Sequence, residues 1–309
     1  MTVRAAIVEA GRSARLAELA LREPGPGEVR VRLEGCGVCG SDVAVWEGRP
    51  WFDYPREPGA PGHEGWGRVE AVGPDVEALE VGARVAGLTY HAYADRELAA
   101  ADMLVALPEA LDGRPFPGEA LGCAVNVFRR SGIRAGQTVA VVGVGFLGAV
   151  VAQLAARAGA TVLGVSRRDA ARETARRMGA TDVFELDAPP DPESCDVVVE
   201  AGGRQATLDA ASPLVRVRGR LVVAGFHQDG PRQVDLQSWN WRGIDVINAH
   251  ERDPERYLDG IRLAARWVAE GRLEPDPLYT HRFPLDAVGD ALEAASSRPE
   301  GFMKALVLA

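Results

Sequence analysis

Thr138-Val139-Ala140-Val141-Val142-Gly143-Val144-Gly145-Phe146-Leu147-Gly148 is the stretch that decides the fold. A short apolar run leads straight into three spaced glycines, and an alanine-rich helical pattern continues from Gly145 to Arg157. In a Gly-x-Gly-x-x-Gly turn between strand and helix, the first glycine permits the bend and the second admits a pyrophosphate close to the backbone. The third lets helix and strand pack closely, and the helix N-terminus adds partial positive charge. Gly143, Gly145 and Gly148, with Phe146 and Leu147 between them, are therefore the expected dinucleotide-phosphate site.

Towards the C-terminus the pattern repeats. Strands are expected at Thr161–Val165, Asp196–Glu200, Arg220–Ala224 and Asp245–Asn248, with helices over Asp169–Met178, Gln205–Val215 and about Pro254–Gly271. This alternation predicts parallel βαβ units and a doubly wound sheet. The second strand ends in Ser166-Arg167-Arg168. A carboxylate there would bind the ribose 2′-hydroxyl of NAD, whereas a hydroxyl and two guanidiniums suit a 2′-phosphate. Ser166, Arg167 and Arg168 are thus expected to favour NADP(H) over NAD(H), and Asp169 to cap the next helix.

Towards the N-terminus the texture is different. Val3–Val8, Glu28–Leu33, Gly67–Val72 and Ala83–Leu88 read as short strands separated by Pro24-Gly25-Pro26-Gly27 and Val72-Gly73-Pro74, which suggests an irregular β-barrel. Gly118–Ser131 reads as a helix, and the strand-like Lys304–Leu308 closes the chain. The expected organisation is a discontinuous domain, residues 1–124 plus 273–309, around a cofactor domain, 125–272.

At 309 residues, 47% hydrophobic and 26% charged, the chain can build two globular cores. A net charge of -9 argues against a nucleic-acid partner. No apolar run reaches the length of a membrane span, and Met1-Thr2-Val3-Arg4 opens no signal-peptide pattern. Four cysteines are too few for a disulfide scaffold, so a cytoplasmic location is expected. Lys304 is the only lysine, and at this level the arginine bias carries no functional weight.

Two segments carry the chemistry: Gly35-Cys36-Gly37-Val38-Cys39-Gly40-Ser41-Asp42 and Gly62-His63-Glu64-Gly65. Alone, a Cys-x-x-Cys pair fits a redox dithiol, half of a structural zinc site, or coincidence. A structural zinc needs a second close Cys or His pair, which the chain lacks, and a redox pair belongs at a βα junction. Together with the glycine turn, these segments resemble the zinc-containing medium-chain dehydrogenase/reductase superfamily, closest to its sorbitol (polyol) dehydrogenase branch. Cys39-Gly40-Ser41-Asp42-Val43, Pro24-Gly25-Pro26-Gly27-Glu28 and Phe283-Pro284-Leu285 carry the likeness over essentially the whole chain.

The resemblance implies an α/β protein with a GroES-like irregular β-barrel catalytic domain and a Rossmann cofactor domain. It implies one catalytic zinc held by the Cys39 thiolate, the His63 imidazole and Glu64 or its close substitute, with a fourth position open. Glu119 would be a further metal-proximal carboxylate, and Ser41 the relay hydroxyl. Trp46, Trp51, Phe52, Thr89 and Tyr90 would line a substrate pocket, with Trp239 and Trp241 closing it from a long loop or filling a subunit interface.

The chain departs from the family in three places. The four-cysteine structural-zinc lobe is missing, Ala44 stands where a relay histidine is common, and Ala120 follows Glu119 in place of proline. His91 is the candidate replacement for that histidine. The implied activity is hydride transfer between a small alcohol or polyol, or its carbonyl, and NADP(H), in a homo-oligomer (dimer or tetramer). The alternatives are a zinc-independent quinone or enone reductase on the same fold, and a non-catalytic nucleotide-binding protein.

Overall fold

Strand β1 (Thr2–Glu9) pairs antiparallel with β2 (Ser13–Ala20) across a turn where Gly11 and Arg12 both take positive φ. Sequence reading misses β2 because its Ala, Leu, Glu and Arg are helix formers; eight cross-strand pairs with β1 override that weak local preference. The same holds for β6 (Arg96–Ala100), which pairs with β3 (Glu28–Gly37). Strand β3 is the hub of a seven-stranded sheet. It also pairs with β4 (Glu64–Val72), which continues through β5 (Arg84–Gly87) to β7 (Leu104–Ala106). Between β3 and β4 lies the short helix α1 (Asp42–Trp46).

The computed structural model describes all residues, Met1–Ala309, and they divide into two units: Met1–Gly122 with Asp253–Ala309, and Cys123–Arg252. The division falls within helix α2 (Gly118–Ser131).

In the second unit, β8 (Thr138–Val142), β9 (Thr161–Val165), β10 (Asp182–Phe184), β11 (Cys195–Glu200), β12 (Val215–Val223) and β13 (Asp245–Asn248) form one parallel sheet in the order β10-β9-β8-β11-β12-β13. The strand order reverses between β8 and β11, which is where such sheets bind ligands at the strand C-termini. Val139 to Val142 are fully buried, as strands covered on both faces must be. Helices α3 (Phe146–Arg157), α4 (Asp169–Arg177), α5 (Gln205–Leu214) and α6 (Leu236–Arg242) make the connections. Helix α6 replaces the long loop expected around Trp239 and Trp241, started by Asp235, whose side chain accepts from Ser238 N–H. Asp169 is the first residue of α4 rather than its cap, and it pairs with Arg172 one turn on.

The remaining elements belong to the first unit: α7 (Pro254–Ala269), β14 (His281–Pro284), α8 (Val288–Ser297) and β15 (Ala305–Leu308). Strand β15 returns to the seven-stranded sheet between β14 and β3. Helix α7, expected within residues 125–272, instead groups with this unit. Its Ile261 fills the space left by Gly118 and Gly122, where an added Cβ would come within 3.2 and 2.6 Å of it.

Candidate metal centre and dinucleotide site

Two segments of the first unit bring Cys39, His63 and Glu64 together, with their ligand atoms within 4.8 Å of one another. Cys39 lies in the turn between β3 and α1, and His63 and Glu64 stand at the start of β4. His63 Nδ1 faces two acceptors, Pro61 O at 2.8 Å and Asp42 Oδ1 at 3.3 Å. The proton is therefore assigned to Nδ1, leaving the Nε2 lone pair for the cluster. Burial alone would push the imidazole down, yet the Asp42 carboxylate and Cys39 hold it well above its usual value. A cation binding here would displace the Nε2 proton of the imidazolium and leave the Nδ1 proton in place.

Asp42 ties the site together. It is 1% exposed, and its Oδ2 accepts from Cys39 N–H at 3.0 Å and from Tyr93 O–H at 2.6 Å. Burial, then the adjoining Asp42 charge, pushes the Tyr93 phenol well up, so Tyr93 stays a donor. Asp42 was legible only as part of a motif; its role comes from contact with residues 21 and 51 positions away.

Glu64 is fully buried, and the sole lysine, Lys304, lies 2.5 Å from both of its oxygens, hydrogen-bonding to Oε1 and ion-pairing with Oε2. Burial would depress the Lys304 ammonium, but Glu64, then Cys39, keep it charged above its usual value. Oε2 has no further hydrogen bond. An added Cβ at Gly37 would meet it at 1.9 Å, so this glycine makes room for the carboxylate. Thiolate, imidazole and carboxylate are the donor types of a zinc site, and a buried carboxylate oxygen with spare acceptor capacity fits the third position. Glu119, 9% exposed, accepts from Tyr257 O–H at 2.6 Å; Tyr257 on α7 was missed because nothing local marks it.

The other expected residues separate. Ser41 precedes α1 but its side chain makes no capping bond, leaving the hydroxyl without a protein partner. Cys36 is a buried thiol donating to Gly37 O at 3.3 Å, and burial pushes it well up. Thr89 is buried, and its Oγ1 accepts from Gly65 N–H at 2.9 Å, bracing the ligand strand.

One expectation is corrected. Trp46 is no pocket wall: it is 4% exposed in the core, donates from Nε1 to Glu293 at 2.8 Å and packs against Gly289 of α8. Trp51 and Tyr90 are exposed at 54% and 63%. The His91 ring turns to the exposed Glu57, with Nε2 3.0 Å from its carboxylate, and no hydrogen bond joins it to Cys39, His63 or Glu64. Trp241 is solvent-exposed, and Trp239 donates to Ser212 Oγ within the second unit.

In the second unit two of the three glycines of the turn are sterically required. Gly143 takes φ +94, and a Cβ there would strike Gly202 N at 2.6 Å. At Gly148 a Cβ would come within 2.3 Å of Gly143 O, whereas at Gly145 it would meet nothing within 4 Å. The first bond of α3 runs from Ala149 N–H to Gly145 O, so the amides of Leu147 and Gly148 stand outside the helix ladder. Open space over Gly145 at a helix start is the cradle a pyrophosphate requires. Gly148→Ala is therefore expected to destabilise the unit by about 1–3 kcal/mol through overpacking. Gly145→Ala should fold normally yet bind the dinucleotide more weakly; thermal melts and cofactor titration of both variants check this, and equal affinity for Gly145→Ala would refute the cradle.

Ser166 ends β9 nearly buried, and Arg172 pins the following turn by donating to Ser166 O at 2.9 Å and Arg167 O at 3.0 Å. The exposed Arg167 side chain has no protein partner. Burial, then the neighbouring Arg167, weighs against the half-buried Arg168 charge. Two adjacent cations so placed suit an anion.

The family model for the alcohol dehydrogenase GroES-like domain matches residues 25–110, and that for zinc-binding dehydrogenase matches 147–266. Sorbitol dehydrogenase of Gallus gallus is 29% identical, covering 96% of this chain and 94% of its own. A putative zinc-binding dehydrogenase from Sinorhizobium meliloti bound to NADP superposes with a TM-score of 0.86 at 26% identity, covering all of both chains. A cobalt- and zinc-bound thermostable alcohol dehydrogenase from Pyrobaculum aerophilum gives 0.85 at 28%, again over all of both chains. With its GroES-like sheet and Rossmann-type parallel sheet, the chain belongs to the medium-chain dehydrogenase/reductase superfamily, close to the sorbitol dehydrogenase branch.

Proposed function

We propose that this oxidoreductase is a zinc-dependent alcohol or polyol dehydrogenase that uses NADP(H) in preference to NAD(H). The observation that carries the reading is the convergence of Cys39, His63 and Glu64 in one unit of a chain whose other unit has the dinucleotide turn. Cys39, His63 and Glu64 would hold one zinc, whose Lewis acidity lowers the pKa of an alcohol, as it lowers that of water from about 15.7 to about 7. A nicotinamide supplies the hydride acceptor, so that alcohol and oxidised cofactor give carbonyl, reduced cofactor and a proton. The unpartnered Ser41 hydroxyl would relay the substrate proton, accepting it while passing its own proton on to water. Asp42 fixes the His63 ring, and Lys304 and Tyr257 hold Glu64 and Glu119 in place. The NADP-bound and sorbitol-oxidising relatives support the cofactor and substrate classes.

The substrate is a small molecule, with no nucleic-acid partner. No helix is long and apolar enough to cross a membrane. We assign the protein to the cytoplasm, as a dimer or tetramer. The test is a panel of sugar alcohols, cyclitols, aromatic alcohols and diols, followed by reduced-cofactor absorbance with parallel metal analysis. Turnover of an alcohol with one zinc per chain supports the reading. Turnover of enones by metal-free protein would replace it with the reductase alternative, and dinucleotide binding without any turnover would leave a non-catalytic binding protein.

A further inference from the structure

Glu97 is a carboxylate where the sheet calls for an apolar side chain. It lies on β6 opposite Val31 of β3, 5% exposed, on the same inward face as the core residue Ala99. Its Oε1 accepts two backbone bonds, from Tyr90 N–H at 2.9 Å and His91 N–H at 3.0 Å, while Oε2 has no hydrogen-bond partner. Burial pushes the carboxyl up to about 7, against the pull of those two amides. A buried acid with an unused oxygen is costly to keep, so the bonds it makes deserve a structural reason.

That reason is the segment it grips. Residues 89–93 lie directly on the turn that carries His63 and Glu64. Thr89 Oγ1 accepts from Gly65 N–H at 2.9 Å, Ala92 N–H donates to Gly62 O at 2.9 Å, and Tyr93 N–H to Gly59 O at 3.0 Å. The two strips leave no slack: a Cβ at Gly59 would meet His91 O at 2.1 Å, and one at Gly62 would meet Tyr93 N at 2.5 Å. Tyr93 then reaches Asp42, which faces His63 Nδ1. A shift of the Tyr90–His91 backbone is thus passed to His63 along two routes, through its flanking glycines and through Tyr93 and Asp42.

We propose that Glu97 is a positioning residue of the metal centre, clamping the Tyr90–His91 backbone so that residues 89–93 hold the His63–Glu64 turn in its ligating form. This rests on the reading that Cys39, His63 and Glu64 bind zinc. The clamp depends on reach rather than on charge, since a neutral carboxyl or an amide oxygen at the same place accepts both N–H groups.

Three variants of the full chain separate the possibilities. Glu97→Gln keeps an acceptor at the same reach, Glu97→Asp keeps the charge but withdraws it by one methylene, and Glu97→Ala removes the acceptor. Zinc affinity is read by competition with a chromophoric chelator, and ligand geometry by the visible spectrum of the Co2+-loaded protein. The Gln variant is expected to match the unmodified chain. The Asp and Ala variants are expected to bind zinc about tenfold more weakly and to shift the cobalt spectrum, the lower end of losses seen when groups behind metal ligands are removed. NADPH binding by the second unit should be unchanged in all three, which excludes general unfolding. If Asp and Ala bind zinc as the unmodified chain does, or if Gln falls with them, the clamp is overturned. Should Ala fail to fold, the Asp–Gln comparison gives the same decision. Absence of zinc binding in the unmodified chain is a separate outcome, which overturns the metal reading and the clamp with it.

Discussion

Cys39→Ala is expected to abolish both zinc binding and turnover, while Cys36→Ala spares them. The two thiols are three residues apart, yet their surroundings differ. Cys39 has its sulfur within 4.8 Å of the ligand atoms of His63 and Glu64, whereas the Cys36 thiol is buried against its neighbour's carbonyl. Removing the thiolate leaves an imidazole and a carboxylate already shared with Lys304, too few donors for a tightly held tetrahedral ion. Removing the Cys36 sulfur leaves a small void, costing about 1 kcal/mol of stability with the donor set intact. Elemental analysis of both purified variants, together with turnover, checks this. Full zinc in the Cys39 variant, or two zincs per chain in the unmodified protein, would sink the assignment.

The second large effect is on cofactor choice. Ser166→Asp combined with Arg167→Ala should turn a preference for NADP(H) into one for NAD(H), with zinc content unchanged. Ser166 is nearly buried at the end of β9 and can donate to a 2′-phosphate, and Arg167 has no protein partner to give up. Hydrogen bonds to charged groups are worth roughly 1.5–3 kcal/mol each, so even one implies about a tenfold or greater preference. Exposure and salt reduce that value, so the preference should shrink as ionic strength rises. An introduced carboxylate would repel the phosphate while accepting from a free 2′-hydroxyl. Comparison of kcat/KM for the two cofactors decides it: a higher value with NAD(H) in the unmodified protein makes the arginines ordinary surface.

What the residues determined by themselves was everything carried by short-range pattern. The Gly143–Gly148 turn reads correctly because its steric demands are local: a tight bend, an approach, a close packing contact. The central strands β8 and β11 read correctly because burial leaves continuous apolar runs, whereas the short, partly exposed β10 was not read. Cys39 and the His63-Glu64 pair were found in two short motifs, 24 positions apart, through the family resemblance those motifs carry, and the structure brings their donors together. Where local preference and tertiary pairing disagreed, as in β2 and β6, the helix-forming residues left the strands unread and cross-strand pairing decided. Trp46 misled in another way. An aromatic beside a metal motif suggests a pocket, but its ring is buried by α8, 247 residues away from Trp46 at the Glu293 contact.

Only the tertiary structure could supply the supports of the site. Lys304 meets Glu64 across 240 positions, Tyr257 meets Glu119 across 138, and Tyr93 meets Asp42 across 51. No hydrophobic period or turn signal encodes such contacts, because each depends on where two distant segments are brought together by the sheet. The sole lysine looked like residue bias, and nothing in the sequence singled out Glu97. Burial gives both their meaning: away from water an ionisable group must find a partner, and the fold alone determines which partner is within reach.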